Sequence, residues 1–284
     1  MPIHIAADGA RLHHDVLGDP GRPPLVVLAG GPARHPDYLG DLAGLGGPAG
    51  RRRLVVPHLR GVGRSPAGPA EAMSHWAQAS DVVALLDHLG LDRAVLLGHS
   101  AGCRLTLATA VQHPQRVAAL VLVTPPGAPF VAADDIDGLV AARRGDPVFD
   151  AGVAACLEQR EVADDDAYTA WQHEMAPTTY AAWGAAERAH ALSGRWSLAA
   201  ARAFRASAPD GAWDGLAGVD APTLVVVGDS DCATGADAGR GLAALVPRGR
   251  VEVLAGCGHY PWVEQPAAFR VVVDGFLDEL DATP

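Results

Sequence analysis

The pentapeptide Gly98-His99-Ser100-Ala101-Gly102 sets one hydroxyl between two glycines, and Asp229, Asp231 and His259 follow it along the chain. A serine hydroxyl is a weak nucleophile until a base takes its proton, and an imidazole base needs a carboxylate to orient it. Serine, acid and histidine in that order, on a strand–turn–helix frame, describe acyl transfer through a covalent intermediate. The best base is His259, in the glycine-bracketed stretch Gly256-Cys257-Gly258-His259-Tyr260-Pro261. His4, His13 and His14 belong to an opening hairpin, His88 to a helix, and His99 to the variable position of the pentapeptide. Two acids compete, Asp229 and Asp231, both just past an apolar run; the spacing Gly228-x-x-Asp231 favours Asp231. The developing oxyanion needs two N–H donors, for which the sequence offers Ala101 and, in Ala29-Gly30-Gly31-Pro32, Gly31.

These residues need elements to hold them. Apolar runs at 24–28, 54–56, 94–97, 118–123, 223–227 and 251–254 end in turn residues, as parallel strands covered on both faces do. Helical periodicity fills 80–89, 104–112, 235–246 and 269–280. Residues 2–17 alternate around Asp8-Gly9, the signature of a hairpin. The expected fold is therefore α/β, a mostly parallel doubly wound sheet. Between residues 126 and 220 the rhythm breaks into helix formers alone, at 136–144, 150–161, 164–175 and 180–206. We expect an inserted helical lid over 126–220, with the core formed by 1–125 and 221–284. The stretch His58-Leu59-Arg60-Gly61-Val62-Gly63-Arg64-Ser65 lacks the lysine of a phosphate-binding loop and reads as a structural turn.

Composition narrows the class. The 284 residues, 49% hydrophobic and 19% charged, suit one large globular core. A formal net charge of −11 disfavours nucleic acid and anionic lipid as partners. The N-terminus lacks the pattern of a secretion signal and no apolar run is long enough to span a bilayer, so a cytoplasmic location is expected. Cys103, Cys156, Cys232 and Cys257 show no paired spacing and read as reduced thiols. Cys257-Gly258-His259 has no second ligand pair, so no metal is expected.

With these residues in place, the chain resembles the α/β-hydrolase superfamily, and within it the proline iminopeptidase-like branch. Gly30-Gly31-Pro32, Arg60-Gly61-x-Gly63-x-Ser65, the segment from Tyr180 through Trp183 and Glu187 to His190, and Gly258-His259-Tyr260-Pro261-Trp262 are similar to that branch. The resemblance implies a lidded serine hydrolase without metal or organic cofactor, with Ser100, Asp231 and His259 as its triad. It also implies acidic lid groups that grip a substrate ammonium, for which Glu158, Glu161, Glu174 and Glu187 are candidates. Gly30, His99, Trp183 and Tyr260 complete the expected substrate contacts. The chain departs from that branch at Ala33, at His58-Leu59 and in the pentapeptide itself, whose Gly-His-Ser-Ala-Gly form is common in esterases. The expected substrate is a small ester, lactone or amide, and esterase, lactonase and aminopeptidase all stay open. A thioesterase or tailoring hydrolase uses the same machinery, and a non-catalytic binder on the same fold is the alternative from another class.

Overall fold

The protein is described here by a computed structural model covering residues 2–131, 135–158, 160–206 and 208–282. The Asp8-Gly9 signal forms a hairpin of β1 (Ile3–Ile5) and β2 (Arg11–Leu17), with Gly9 at φ +85° supplying the left-handed turn. Six parallel strands follow: β3 (Pro24–Leu28), β4 (Arg53–Pro57), β5 (Ala94–His99), β6 (Val117–Val123), β7 (Thr223–Gly228) and β8 (Gly249–Leu254). The sheet order is β1-β2-β4-β3-β5-β6-β7-β8, with β2 antiparallel to β4.

Alternate residues of each strand enter opposite layers because the side-chain period is two. Val26, Leu28, Leu96, Leu120 and Val225 pack on one side, with α1 (Ala79–His88), α2 (Gly102–Gln112) and α8 (Ala236–Leu245). Leu25, Val27, Leu97, Val121 and Leu224 pack on the other, against Phe269, Val273 and Phe276 of α9 (Pro266–Asp281). All ten of these strand residues are fully buried, which is why their runs are uniformly apolar.

The strand order fixes where chemistry can occur. The chain leaves β3 for β4 on one side, then crosses to β5 on the other, so β3 and β5 are neighbours whose following loops diverge. A crevice opens at such a reversal, beyond the carboxyl ends of the strands. Gly30-Gly31 follows β3 and Ser100 follows β5, so both lie at that crevice.

Between β6 and β7 the chain forms helices and turns: α3 (Ile136–Arg143), α4 (Pro147–Leu157), α5 (Asp165–Met175), α6 (Ala185–Ala191) and α7 (Leu198–Phe204). The single helix expected over 180–206 is two. Gly194 at φ +74° breaks it, and Ser197 starts α7 as its N-cap. The intervening loop forms an isolated bridge from Trp196 to Arg34, at the end of the Gly-Gly-Pro turn. The expected helix over 150–161 begins at Pro147 instead, because Asp146 accepts from the amides of Val148 and Phe149.

The 58–65 turn is structural. Arg60 is buried between Asp81, at 2.6 Å, and Asp8, at 2.8 Å, tying the hairpin to α1. All four cysteines are free thiols. Among the described residues no helix is long and apolar enough to cross a membrane.

Candidate active site

Ser100 sits between the end of β5 and the start of α2 with φ at +51°, a left-handed conformation that costs a non-glycine residue of order 1 kcal/mol or more. The turn is held on both sides. Ser100 N donates to Val123 O at 2.8 Å, and the two flanking glycines admit the neighbouring backbone. A Cβ on Gly98 would lie 2.9 Å from Cys103 Cα, and one on Gly102 would lie 2.7 Å from Ala29 O. Side chains at either place would push the elbow apart.

Asp231 and His259 lie in the loops after β7 and β8. His259 Nδ1 lies 2.9 Å from Asp231 Oδ2; since a carboxylate only accepts, Nδ1 carries the proton and Nε2 is left as the basic nitrogen. Asp231 is fully buried. Burial alone would raise its pKa, but the charge and hydrogen bond of His259, the Thr234 hydroxyl at 2.6 Å and the Ala233 amide at 2.8 Å outweigh it. The result is a carboxyl held below its ordinary value. Asp229 is occupied differently, accepting from the amides of Gly256 and Cys257 and from the Ser230 hydroxyl. Among the described residues no hydrogen bond reaches Ser100 Oγ; such contacts often tighten only when substrate binds.

The His259 loop is fixed mainly through its backbone. His259 N donates to Thr179 O at 2.8 Å, and His259 O accepts from Thr124 Oγ1 at 3.1 Å and His99 Nε2 at 3.0 Å. The Glu264 carboxylate gathers the amides of Gly258, Tyr260 and Ala181 at 2.7–3.1 Å, and its burial raises its pKa.

His99 joins this loop to the Gly-Gly-Pro turn. Its Nε2 must donate, because its partner is a carbonyl, so Nδ1 is the acceptor and takes the Tyr38 hydroxyl proton at 2.8 Å. Tyr38 Oη in turn accepts the Gly30 amide at 2.7 Å. Burial holds the His99 pKa well below its usual value, so the ring stays neutral and this direction of donation is kept. Gly30 N–H is therefore spent. Among the described residues Gly31 N–H and Ala101 N–H have no acceptor, leaving two amides beside the serine free to meet an oxyanion.

Next to the His259 loop lies a cavity of about 430 Å³, whose wall includes Tyr260 but neither Ser100 nor His259. Trp196, Tyr180 and Tyr260 form part of its wall together with Arg34 and Arg205, and Cys232 and Ala233 adjoin Asp231. Trp196 Nε1 donates to Gly31 O at 2.8 Å, so the cavity wall and the Gly-Gly-Pro turn are joined.

Of the expected substrate contacts, Tyr260 lines this cavity. Gly30 and His99 are buried behind the site in the hydrogen-bond chain just described. Trp183 packs on Tyr180 with ring centroids 5.3 Å apart and does not line the cavity. Glu158 and Glu174 are exposed and pair with Arg160 at 2.7 and 2.9 Å; Glu187 caps α6 by accepting the Gly184 amide at 2.9 Å. Glu161 is exposed and likewise not part of the wall. Arg34, Tyr38, Thr234 and Glu264 were not anticipated. Only the proximity of Arg34 and Tyr38 to Gly30-Gly31-Pro32 hinted at them.

The comparisons with known proteins agree with this architecture. The chain is 28% identical over 287 residues to a 2-hydroxymuconate semialdehyde hydrolase of Pseudomonas putida, covering 98% of this chain and 94% of that protein. An esterase from Rhodococcus sp., RhEst1, superposes with a TM-score of 0.71 at 26% identity, covering 98% of both chains. A proline iminopeptidase of Mycobacterium smegmatis does so with a TM-score of 0.74 at 23% identity, covering 99% and 98%, and that likeness speaks for the fold. The branch expected from the sequence is thus one of several that the chain is similar to. The alpha/beta hydrolase fold model matches residues 23–266, and the chain belongs to that family.

Proposed function

We propose that the protein is a serine hydrolase that cleaves a carboxylic ester of a small molecule, linear or cyclic, through an acyl-enzyme. The observation that carries this is the 2.9 Å contact of His259 Nδ1 with buried Asp231, on a loop whose His259 carbonyl accepts from His99, the neighbour of a serine held at φ +51°. His259 Nε2 takes the proton of Ser100 Oγ as Oγ attacks the carbonyl carbon. The Gly31 and Ala101 amides hold the resulting oxyanion, and His259 returns the proton to the leaving alkoxide. Water, deprotonated by the same nitrogen, then releases the acid and restores Ser100. The helices between β6 and β7 act as the lid over this crevice.

The cavity favours an ester over a peptide with a free amino terminus. Among the described residues its wall carries no aspartate or glutamate, and Glu158 and Glu174 are spent on Arg160, so no described group there offers an ammonium a countercharge. The test is turnover of p-nitrophenyl esters, beside proline p-nitroanilide, and labelling by a fluorophosphonate. Wild-type protein is expected to cleave the ester and to be labelled, and Ser100→Ala to lose both. Full retention of both by Ser100→Ala would refute the assignment.

A further inference from the structure

The cavity behind the catalytic loops has an unusual electrostatic character. Arg34 is buried at 2% exposure, yet its partners are neutral: Nε and Nη2 donate to the carbonyls of Ser193, His190 and Ala191, and Nη1 to Tyr260 Oη at 3.1 Å. Its guanidinium lies 4.3 Å from the Tyr38 ring and 4.4 Å from that of Trp196. These dipoles and aromatic faces satisfy its N–H groups and soften its desolvation, but none cancels its charge. Arg205 stands at the same wall, exposed, with the Tyr168 hydroxyl as its hydrogen-bond partner at 3.2 Å. Two positive charges therefore share one cavity whose lining, among the described residues, includes no acid, in a chain of net charge −11.

A buried cation without a countercharge is costly, and a substrate anion is the group that would relieve the cost. Met175, Ala176, Tyr180 and Trp196 make much of the remaining wall apolar. We infer that the cavity selects an acyl chain that is apolar along its length and ends in a carboxylate, with exposed Arg205 meeting the carboxylate and the buried Arg34 charge adding its field from within the wall. This rests on the serine-hydrolase reading and names its substrate class. Arg34 joins two tasks: four of its donations hold the 190–193 stretch against the Gly-Gly-Pro turn and a fifth reaches Tyr260 Oη, while its charge adds to the positive field of the cavity.

The test compares mono-p-nitrophenyl adipate with p-nitrophenyl hexanoate, which differ in the terminal carboxylate. At low salt the adipate ester is expected to show a kcat/KM higher by about two- to fivefold, chiefly through KM, as one favourable charge contact of modest strength gives. The preference should shrink as salt is raised and as Arg205→Gln removes the exposed charge, while Arg205→Lys should keep most of it. Equal rates for the two esters, a preference for hexanoate, or a ratio unmoved by Arg205→Gln would overturn the inference. Protection of Ser100 from the fluorophosphonate by adipate, set against 1-hexanol, reads the same site without turnover; equal protection would overturn it too. Absence of labelling and of turnover with either ester would instead strike the serine-hydrolase reading.

Discussion

Tyr38→Phe removes one oxygen and keeps the ring, so it isolates the hydrogen-bond chain that runs from the Gly-Gly-Pro turn to the His259 loop. Tyr38 Oη accepts the Gly30 amide at 2.7 Å and donates to His99 Nδ1 at 2.8 Å, and all three residues are buried. Loss of the oxygen leaves one buried donor and one buried acceptor unpaired. Each orphaned group costs about 1–3 kcal/mol, so the variant should lose roughly 2–6 kcal/mol of stability. For a chain of this size that is a fall in Tm of roughly 5–20 °C. Gly31, the adjoining donor, then loses its anchor on one side and keeps the Trp196 contact on the other. The expected kinetic signature is a lower kcat with KM little changed, because oxyanion binding belongs to the transition state. Denaturant titration and steady-state kinetics on a p-nitrophenyl ester would read both. A variant within about 0.5 kcal/mol of wild type and unaltered in kcat would refute the chain as the support of the turn.

Two further outcomes follow from the buried ionisable groups. His4 and His14 are buried, and burial first, then neighbouring imidazoles, lowers each pKa to about 4. The folded chain keeps both neutral where the unfolded chain protonates them below about 6.5, so stability is lost as pH falls from about 6.5 to about 4. The loss is on the order of 3 kcal/mol per imidazole at full extent, and a denaturation midpoint unchanged between pH 7 and pH 4.5 would contradict it. Glu264→Gln weakens the acceptor for three loop amides and should destabilise the protein by about 1–3 kcal/mol, measured by chemical denaturation. Its kcat should fall because the His259 loop loosens, and an unchanged kcat would show that Thr179, Thr124 and His99 hold His259 on their own.

Much of the architecture was legible in the residues because it depends on periodicity and turn chemistry. The apolar runs became β3 to β8, and Asp8-Gly9 became the hairpin turn. The glycines around Ser100 announced a tight strand-to-helix turn, and close backbone approach explains both of them. Element ends were less legible where side-chain caps decided them, as Asp146 did for α4 and Ser197 for α7.

What the sequence by itself determined is the set of chemical groups: one serine in a strained elbow, two candidate acids, one histidine in a glycine-rich loop, and a glycine pair for the oxyanion. Only the tertiary structure decided how they are used. It brings Asp231 to His259 and commits Asp229 to backbone amides, although the two lie two residues apart. It turns His99 from a substrate contact into a link between Tyr38 and the His259 carbonyl. It pairs Glu158 and Glu174 with Arg160 and Glu187 with a helix end, and leaves Arg34 as a buried charge in the cavity wall. The physical reason is common to all three. Local order and strand period are written in neighbouring residues, whereas hydrogen-bond partnership and charge balance depend on groups far apart in the chain, 226 positions for Arg34 and Tyr260, which only the folded sheet and its loops bring together.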